Sequence, residues 1–223
     1  MRGLELPILY RDEDLVIVNK PSGLLVHRGW GTDRVVAMAI VRDQLDRYVF
    51  PVHRLDRGTS GALVFALSSE MAAPVCAGFE EGRVTKRYLA LVRGVPPDEG
   101  LIDHPIPSGP DGPRVPARTR FRRLFTFERY SLVEAVPETG RLHQIRRHLK
   151  HIDHPLVGDV NYGRGEINRL FRERFGLNRL ALHALCLELD HPRTGVRIQV
   201  RAPMPSDLAE PLAKMGVPEE LRR

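Results

Sequence analysis

The sequence is poor in cysteine, in lysine and in long apolar runs. Its two cysteines, Cys76 and Cys186, stand 110 residues apart in a chain of 223, which makes neither a disulfide framework nor a paired-cysteine metal site. The longest uninterrupted apolar stretch is the seven residues Val35 to Val41, against the roughly 20 that a membrane helix needs, so no segment is expected to cross a bilayer. Charges at Arg11 and Asp12 interrupt the start before a signal-peptide core could form, and the protein is expected in the cytoplasm. No GxxxxGKS/T phosphate loop, no GxGxxG after a strand, no HExxH and no GxSxG occurs, which argues against ATP use, dinucleotide use, zinc hydrolysis and lipase-type acyl transfer.

What is abundant is arginine. Of the 34 cations only Lys20, Lys86, Lys150 and Lys214 are lysine, and the formal net charge is +6. The planar guanidinium fork suits phosphate and stacks on bases, so nucleic acid is one reading of this bias. A codon preference for arginine is the other, and composition leaves both open.

The length suits one sizeable domain. Leu15 to Val18, Gly61 to Leu67, Thr85 to Val92, Ala117 to Leu124, Tyr130 to Val136, Leu180 to Leu189 and Val196 to Arg201 read as strands. Helices are expected over Val35 to Leu45, from a Ser68 or Ser69 cap to about Glu81 with Pro74 disturbing its first turns, after a Thr139 cap, over Arg164 to Phe175 and over Asp207 to Met215. Seven prolines fall between Pro96 and Pro116, which reads as a long loop or hinge between two halves. Strands outnumber helices without regular alternation, so the fold class is mixed α+β. Nothing reads as an oligomer seam, and a monomer is expected.

Four constellations could carry chemistry. In His53-Arg54-Leu55-Asp56-Arg57-Gly58-Thr59-Ser60-Gly61 one carboxylate sits between two guanidinium groups in a glycine-containing loop; positive neighbours favour its ionised form. A surface loop held by an ion pair is the plainer reading. Arg146 lies at the border of the apolar stripe Leu142, Ile145, Leu149 and Ile152, where a partly desolvated cation needs a carboxylate partner or reaches solvent along its stem. Lys86-Arg87-Tyr88 places an aromatic among cations, suited to base stacking or to ordinary strand packing. Arg118, Arg120 and Arg122 alternate along a strand with Arg123 beside them, and no acid lies between Asp111 and Glu128; period two puts three arginines on one face, a ribbon suited to phosphates. His143, His148, His151 and His154 are spaced so that at most pairs share a helix face, so no metal is expected and a polar face touching solvent or RNA is favoured.

At these residues the chain resembles the RluA family of pseudouridine synthases. The matching segments run in order: Val18-Asn19-Lys20-Pro21-Ser22-Gly23 with Val26-His27, then His53 to Gly61, Lys86-Arg87-Tyr88 with Ala90 to Gly94, Thr139 to Leu149, Gly158-Asp159 with Tyr162-Gly163, and Leu182-His183-Ala184 with His191-Pro192 and Thr194-Gly195. The resemblance implies isomerisation of selected uridines in structured RNA without cofactor or metal. It implies that Asp56 is the catalytic carboxylate, as nucleophile or general base, that Arg54 fills the vacated base stack, and that Tyr88 stacks on the flipped uracil. Arg146 would pair with the catalytic aspartate, with Ile145 the hydrophobic residue beside it. RNA contacts are expected from Arg57, Lys20, Arg118, Arg120, Arg122 and Arg123. The implied fold is a mixed, mostly antiparallel sheet in two halves with the active cleft between them. The motifs begin by Asn19, so no N-terminal S4 domain is expected. Asn19, Val26 to Trp30, Val35 to Met38 and Val41 to Gln44 look most like the branch that modifies uridine 65 of tRNA, in the acceptor and T-arm region. A ribosomal RNA substrate, or a non-catalytic RNA-binding protein on the same scaffold, are the alternatives.

Overall fold

The computed structural model describes residues 4–28, 33, 35–109 and 112–222. These form twelve strands, five α-helices and one short 3-10 helix, a mixed α+β architecture. Among the described residues no helix is long and apolar enough to cross a membrane. The chain divides into two compact units, Met1–Thr85 with Ala184–Pro203 and Lys86–His183 with Met204–Arg223.

In chain order the first unit contributes β1 (Ile8–Arg11), β2 (Leu15–Lys20), α1 (Ala37–Leu45), β3 (Phe50–Pro51), β4 (Ser60–Ala66) and α2 (Ser69–Glu80). The second contributes β5 (Thr85–Arg93), β6 (Glu99–Asp103), β7 (Ile106–Pro107), β8 (Arg114–Val115), β9 (Arg118–Phe127), β10 (Tyr130–Pro137), α3 (Gln144–His151) and α4 (Gly165–Phe175). β11 (Leu182–Asp190) and β12 (Arg197–Arg201) return the chain to the first unit, and α5 (Ser206–Lys214) belongs to the second.

The strand order of the first unit is β1-β2-β4-β11-β12, with β3 also on β4. All seven residues of β4 are buried, as a continuous apolar run without alternation requires of a strand covered on both faces. Leu15, Ile17, Val64, Leu187, Leu189 and Ile198 from four strands form the core with Met71 and Val75 of α2, each side chain adding roughly 1.5 to 3 kcal/mol on burial. The Ser68 hydroxyl caps α2 by accepting from the Met71 N–H at 3.2 Å, and the helix runs on through Pro74 to Glu80.

In the second unit the order β5-β10-β9-β6 is antiparallel throughout. A register shift at Leu132/Val133 breaks the alternation of β9 near Arg123. The expectation of a long loop over Pro96 to Pro116 is corrected here. β6 pairs β9 from Glu99↔Arg122 to Asp103↔Arg118, and β7 pairs β8 in a short hairpin. Pro107 is tolerated in β7 because this hairpin is only two strands wide, and each strand has an open edge where a missing N–H costs no ladder bond. The whole segment lies inside the second unit, so it is not a hinge between units.

The helix expected after Thr139 also starts later. Its N-terminal flanking residue is His143 in the left-handed region (φ 56°), and no side chain caps it. The Thr139 hydroxyl instead donates to Gln144 Oε1 at 2.6 Å. Leu142 and Ile152 flank the helix rather than lying in it.

Candidate active site

The first cluster is the loop between β3 and β4 that carries Asp56. Leu55 is buried beneath it, while Arg54 and Arg57 are exposed and Asp56 is half-buried. The backbone turns back on itself through the Thr59 N–H, which donates to the Asp56 carbonyl at 3.0 Å. A neighbouring segment clamps the turn. Ser22 donates to the Gly58 carbonyl at 2.8 Å, and the Gly23 N–H donates to the Arg57 carbonyl at 2.8 Å. The loop feeds into β4 through Gly61, whose φ of +116° favours glycine and whose missing side chain makes room for the Ala184 carbonyl oxygen. Arg57 grips Asp33 with both terminal nitrogens, at 2.9 and 2.6 Å; its hydrogen bond holds the Asp33 carboxyl below the ordinary carboxylate value.

Lys20 does not fit the role expected for it. Its side chain is fully buried, and the ammonium donates to the carbonyls of Pro21 at 2.8 Å, Leu24 at 2.7 Å and Arg57 at 3.4 Å. A cation with no exposed surface and backbone acceptors around it organises the loop; it does not meet a phosphate. Of the segment that suggested the tRNA branch, Gly29 and Trp30 lie outside the described residues.

The second cluster belongs to the second unit. Tyr88 on β5 pairs with Ala135 of β10 and is buried. Lys86, two residues before it and on the same face, is buried too, and burial pushes its ammonium below the ordinary lysine value. α3 packs on β9 and β10 and presents Ile145 and Arg146, both buried. The carboxylate that a buried Arg146 requires is present within its own unit as Asp159. Nε and Nη2 donate to Oδ2 and Oδ1 at 2.7 and 2.8 Å, and the two side chains are 7% and 0% exposed. The N–H groups of Asn161 and Tyr162 donate to Asp159 Oδ1 at 2.9 and 3.0 Å. Burial works against the Asp159 charge, but Arg146 and these N–H groups outweigh it and hold the carboxyl below its ordinary value. The Tyr162 ring lies 5.1 Å from the Arg146 guanidinium carbon, within cation–π range.

Gln144 locks the start of α3. Its Oε1 accepts from Thr139 and from the Arg141 N–H, and its Nε2 donates to the Arg118 carbonyl at 2.8 Å and to Thr119 at 3.0 Å. The sequence alone assigns no role to Asp159, Tyr162 or Gln144. The signal for Asp159 was the demand of Arg146 for a carboxylate together with the Gly158-Asp159 pair.

The arginine ribbon forms as spacing dictates, with Thr119 and Phe121 buried on the opposite face, but it is not a bare row of cations. Arg118 lies 3.4 Å from both Asp103 and Glu138, Arg120 is 2.7 Å from Glu138 and Arg122 is 3.4 Å from Glu134; Arg123 is bonded to Asp98. The acids arrive from β6, β10 and the turns flanking them. Among the described residues no three His, Cys, Asp or Glu side chains are grouped so as to hold a metal ion.

Comparison with known proteins bears on what these clusters serve. The family described as RNA pseudouridylate synthase matches residues 14–151, a span that includes Asp56, Tyr88 and Arg146. The chain is 45% identical over 222 residues to the tRNA pseudouridine synthase C of Haemophilus ducreyi, covering 89% of this chain and 91% of that protein. It is 40% identical over 244 residues to the Vibrio parahaemolyticus protein of the same name, covering 99% of each. Among solved structures, human RNA pseudouridylate synthase domain containing 4 superposes with a TM-score of 0.77 at 28% identity, over 94% of this chain and 93% of the other.

Proposed function

The chain belongs to the RNA pseudouridylate synthase family, and we propose that, as an RNA pseudouridine synthase, it acts on tRNA at uridine 65, with Asp56 as the essential carboxylate. The net chemistry breaks the bond from ribose C1′ to uracil N1 and forms one from C1′ to C5; the proton on C5 leaves and N1 gains one. Such a reaction needs a positioned group rather than an oxidant or an activated phosphate. Asp56 acts either as nucleophile or as general base.

The observation that carries this reading is the clamped turn. Asp56 stands on a backbone fixed by Ser22, Gly23, Lys20 and Thr59, which supports a reading in which the turn that carries the carboxylate is positioned before substrate binds. A paired uridine must leave its stack first, at a cost of a few kcal/mol. In this reading exposed Arg54 takes the vacated place and Tyr88 stacks on the extruded base, a contact worth about 1 to 3 kcal/mol. The tRNA substrate is supported by relatives at 40% to 45% identity that bear the name tRNA pseudouridine synthase C. Position 65 rests on the likeness at Asn19, Val26 to Trp30, Val35 to Met38 and Val41 to Gln44.

The test is Asp56→Asn, assayed on tRNA carrying tritium at uridine C5. Binding persists and tritium release is lost; continued release would remove Asp56 from the chemistry. Mapping pseudouridine in tRNA from cells with and without the gene checks the position, and an unchanged signal at 65 would overturn it.

A further inference from the structure

The cations of the second unit fall into two populations. Those of the β9 ribbon each face a carboxylate, so each pair adds little net charge, and a phosphate would have to displace an acid to reach the guanidinium. Around the β7–β8 hairpin and the start and outer face of α3, buried and ion-paired Arg146 apart, the opposite holds. Arg114 donates to His104 Nε2 at 2.9 Å, Arg141 to the Pro116 carbonyl at 3.3 Å, and Arg147 to the Tyr162 hydroxyl and the Pro107 carbonyl at 2.9 and 3.0 Å. Lys150 lies 6.0 Å from the centre of the Tyr162 ring. These side chains are oriented by neutral acceptors, which leaves their charge intact.

They are also contiguous. Pro107, which accepts from Arg147, is the register partner of Arg114. His104, which accepts from Arg114, stacks on His151 of α3 with ring centroids 3.6 Å apart. Arg147, Lys150 and His151 are three and four residues apart on one helix and so share a face. No acid occurs between Glu138 and Asp153, Asp103 is turned to Arg118, and Asp111, the acid between β7 and β8, lies outside the described residues.

We propose that this hairpin and helix face, with Arg114, Arg141, Arg147 and Lys150 at its centre, is the surface that seats the phosphate backbone of the substrate RNA, in place of the Arg118–Arg123 ribbon. It rests on the reading of the chain as a tRNA-modifying enzyme. Charge that is already uncompensated and already oriented releases counterions on binding without first breaking an ion pair. The face is a ribbon beside a helix with no exposed base-reading amides, which suits recognition of a duplex arm by its phosphates rather than by its sequence.

The experiment measures affinity for an unmodified tRNA transcript between 50 and 200 mM salt, on the order of the range over which phosphate contacts dominate. The variant Arg114→Gln, Arg141→Gln, Lys150→Gln should flatten the plot of log affinity against log salt by about 0.7 to 0.9 per contact, or about 2 to 3 in all. Arg114→Lys with Arg141→Lys, which keeps the charge, should retain the slope, and Lys150→Gln alone tests the face should the triple variant fail to fold. Arg120→Gln with Glu138→Gln removes a ribbon arginine at constant net charge and should leave the slope close to that of the native chain. An unchanged slope in the triple variant, or an equal flattening in the ribbon pair, overturns the proposal. Native protein that binds tRNA with this salt dependence but releases no tritium would instead overturn the substrate reading and leave the surface standing.

Discussion

Truncating Asp159 to alanine should destabilise the second unit by about 3 to 5 kcal/mol, the usual cost of removing one partner of a buried ion pair. Arg146 loses acceptors for two charge-assisted hydrogen bonds of 2.7 and 2.8 Å, and its guanidinium, 7% exposed, has little water to replace them. The N–H groups of Asn161 and Tyr162 lose their acceptor as well, at a smaller cost, since Asn161 is exposed and Tyr162 half-buried and water can reach them. In a chain of 223 residues, where 1 kcal/mol shifts the melting temperature by about 2 to 4 °C, this is a fall on the order of 10 °C. The assay is a urea titration at pH 7, followed through the fluorescence of the tyrosines. Asp159→Asn supplies a second readout. Because the folded carboxyl lies below its ordinary value of 3.8, its stabilisation is complete above that value and is lost as pH falls through the folded one. The Asn variant should therefore lose stability at neutral pH and show a shallower acid limb. A loss below about 1 kcal/mol for Asp159→Ala would refute the account of a buried, mutually dependent pair.

Three further outcomes are expected. Lys20→Met leaves the carbonyls of Pro21 and Leu24 without the ammonium donor, while that of Arg57 keeps the Gly23 N–H; stability should fall by about 2 to 4 kcal/mol in urea titrations, while the salt slope of tRNA binding stays as in the native chain, and a flattened slope would restore Lys20 as a phosphate ligand. Gly61→Ala combines an unfavourable φ with a collision on the Ala184 carbonyl and should cost more than about 3 kcal/mol; a native-like melting curve would contradict the close approach. Gln144→Glu turns the donor facing the Arg118 carbonyl and Thr119 into an acceptor, with an expected loss of about 2 to 3 kcal/mol by thermal melting.

The elements that were legible in the sequence are those whose signal is local. β4 is an apolar run, the Ser68 cap is a side chain bonding three residues ahead, and β9 alternates over Arg118 to Arg122. The elements that were missed depend on partners far along the chain. Glu134 and Glu138 neutralise the ribbon because the β9–β10 register sets them opposite it, and Asp98 and Asp103 arrive with a strand hidden in a proline-rich segment. Thr139 looked like a cap because a hydroxyl ahead of a helical pattern usually is one, yet Gln144 captures that hydroxyl. Lys20 carries no mark in its neighbours that it is buried. For the candidate site, the motif around Asp56 was readable residue by residue, whereas Asp159 becomes visible only when the loop over residues 158–163 is folded beneath α3.

The order in which the chain builds its two units has a cost during synthesis. β4 is complete at Ala66, but its sheet neighbour β11 ends at Asp190, so a ribosome adding about 5 to 20 residues per second leaves this strand, apolar apart from Ser60, with an open edge for roughly 6 to 25 s. The second unit likewise waits for residues 204–223. Neither unit can close before nearly the whole chain has emerged, so a nascent chain stalled before β11 presents an unpaired, aggregation-prone edge. The strand best protected in the finished protein is thus the one exposed longest while the chain is made.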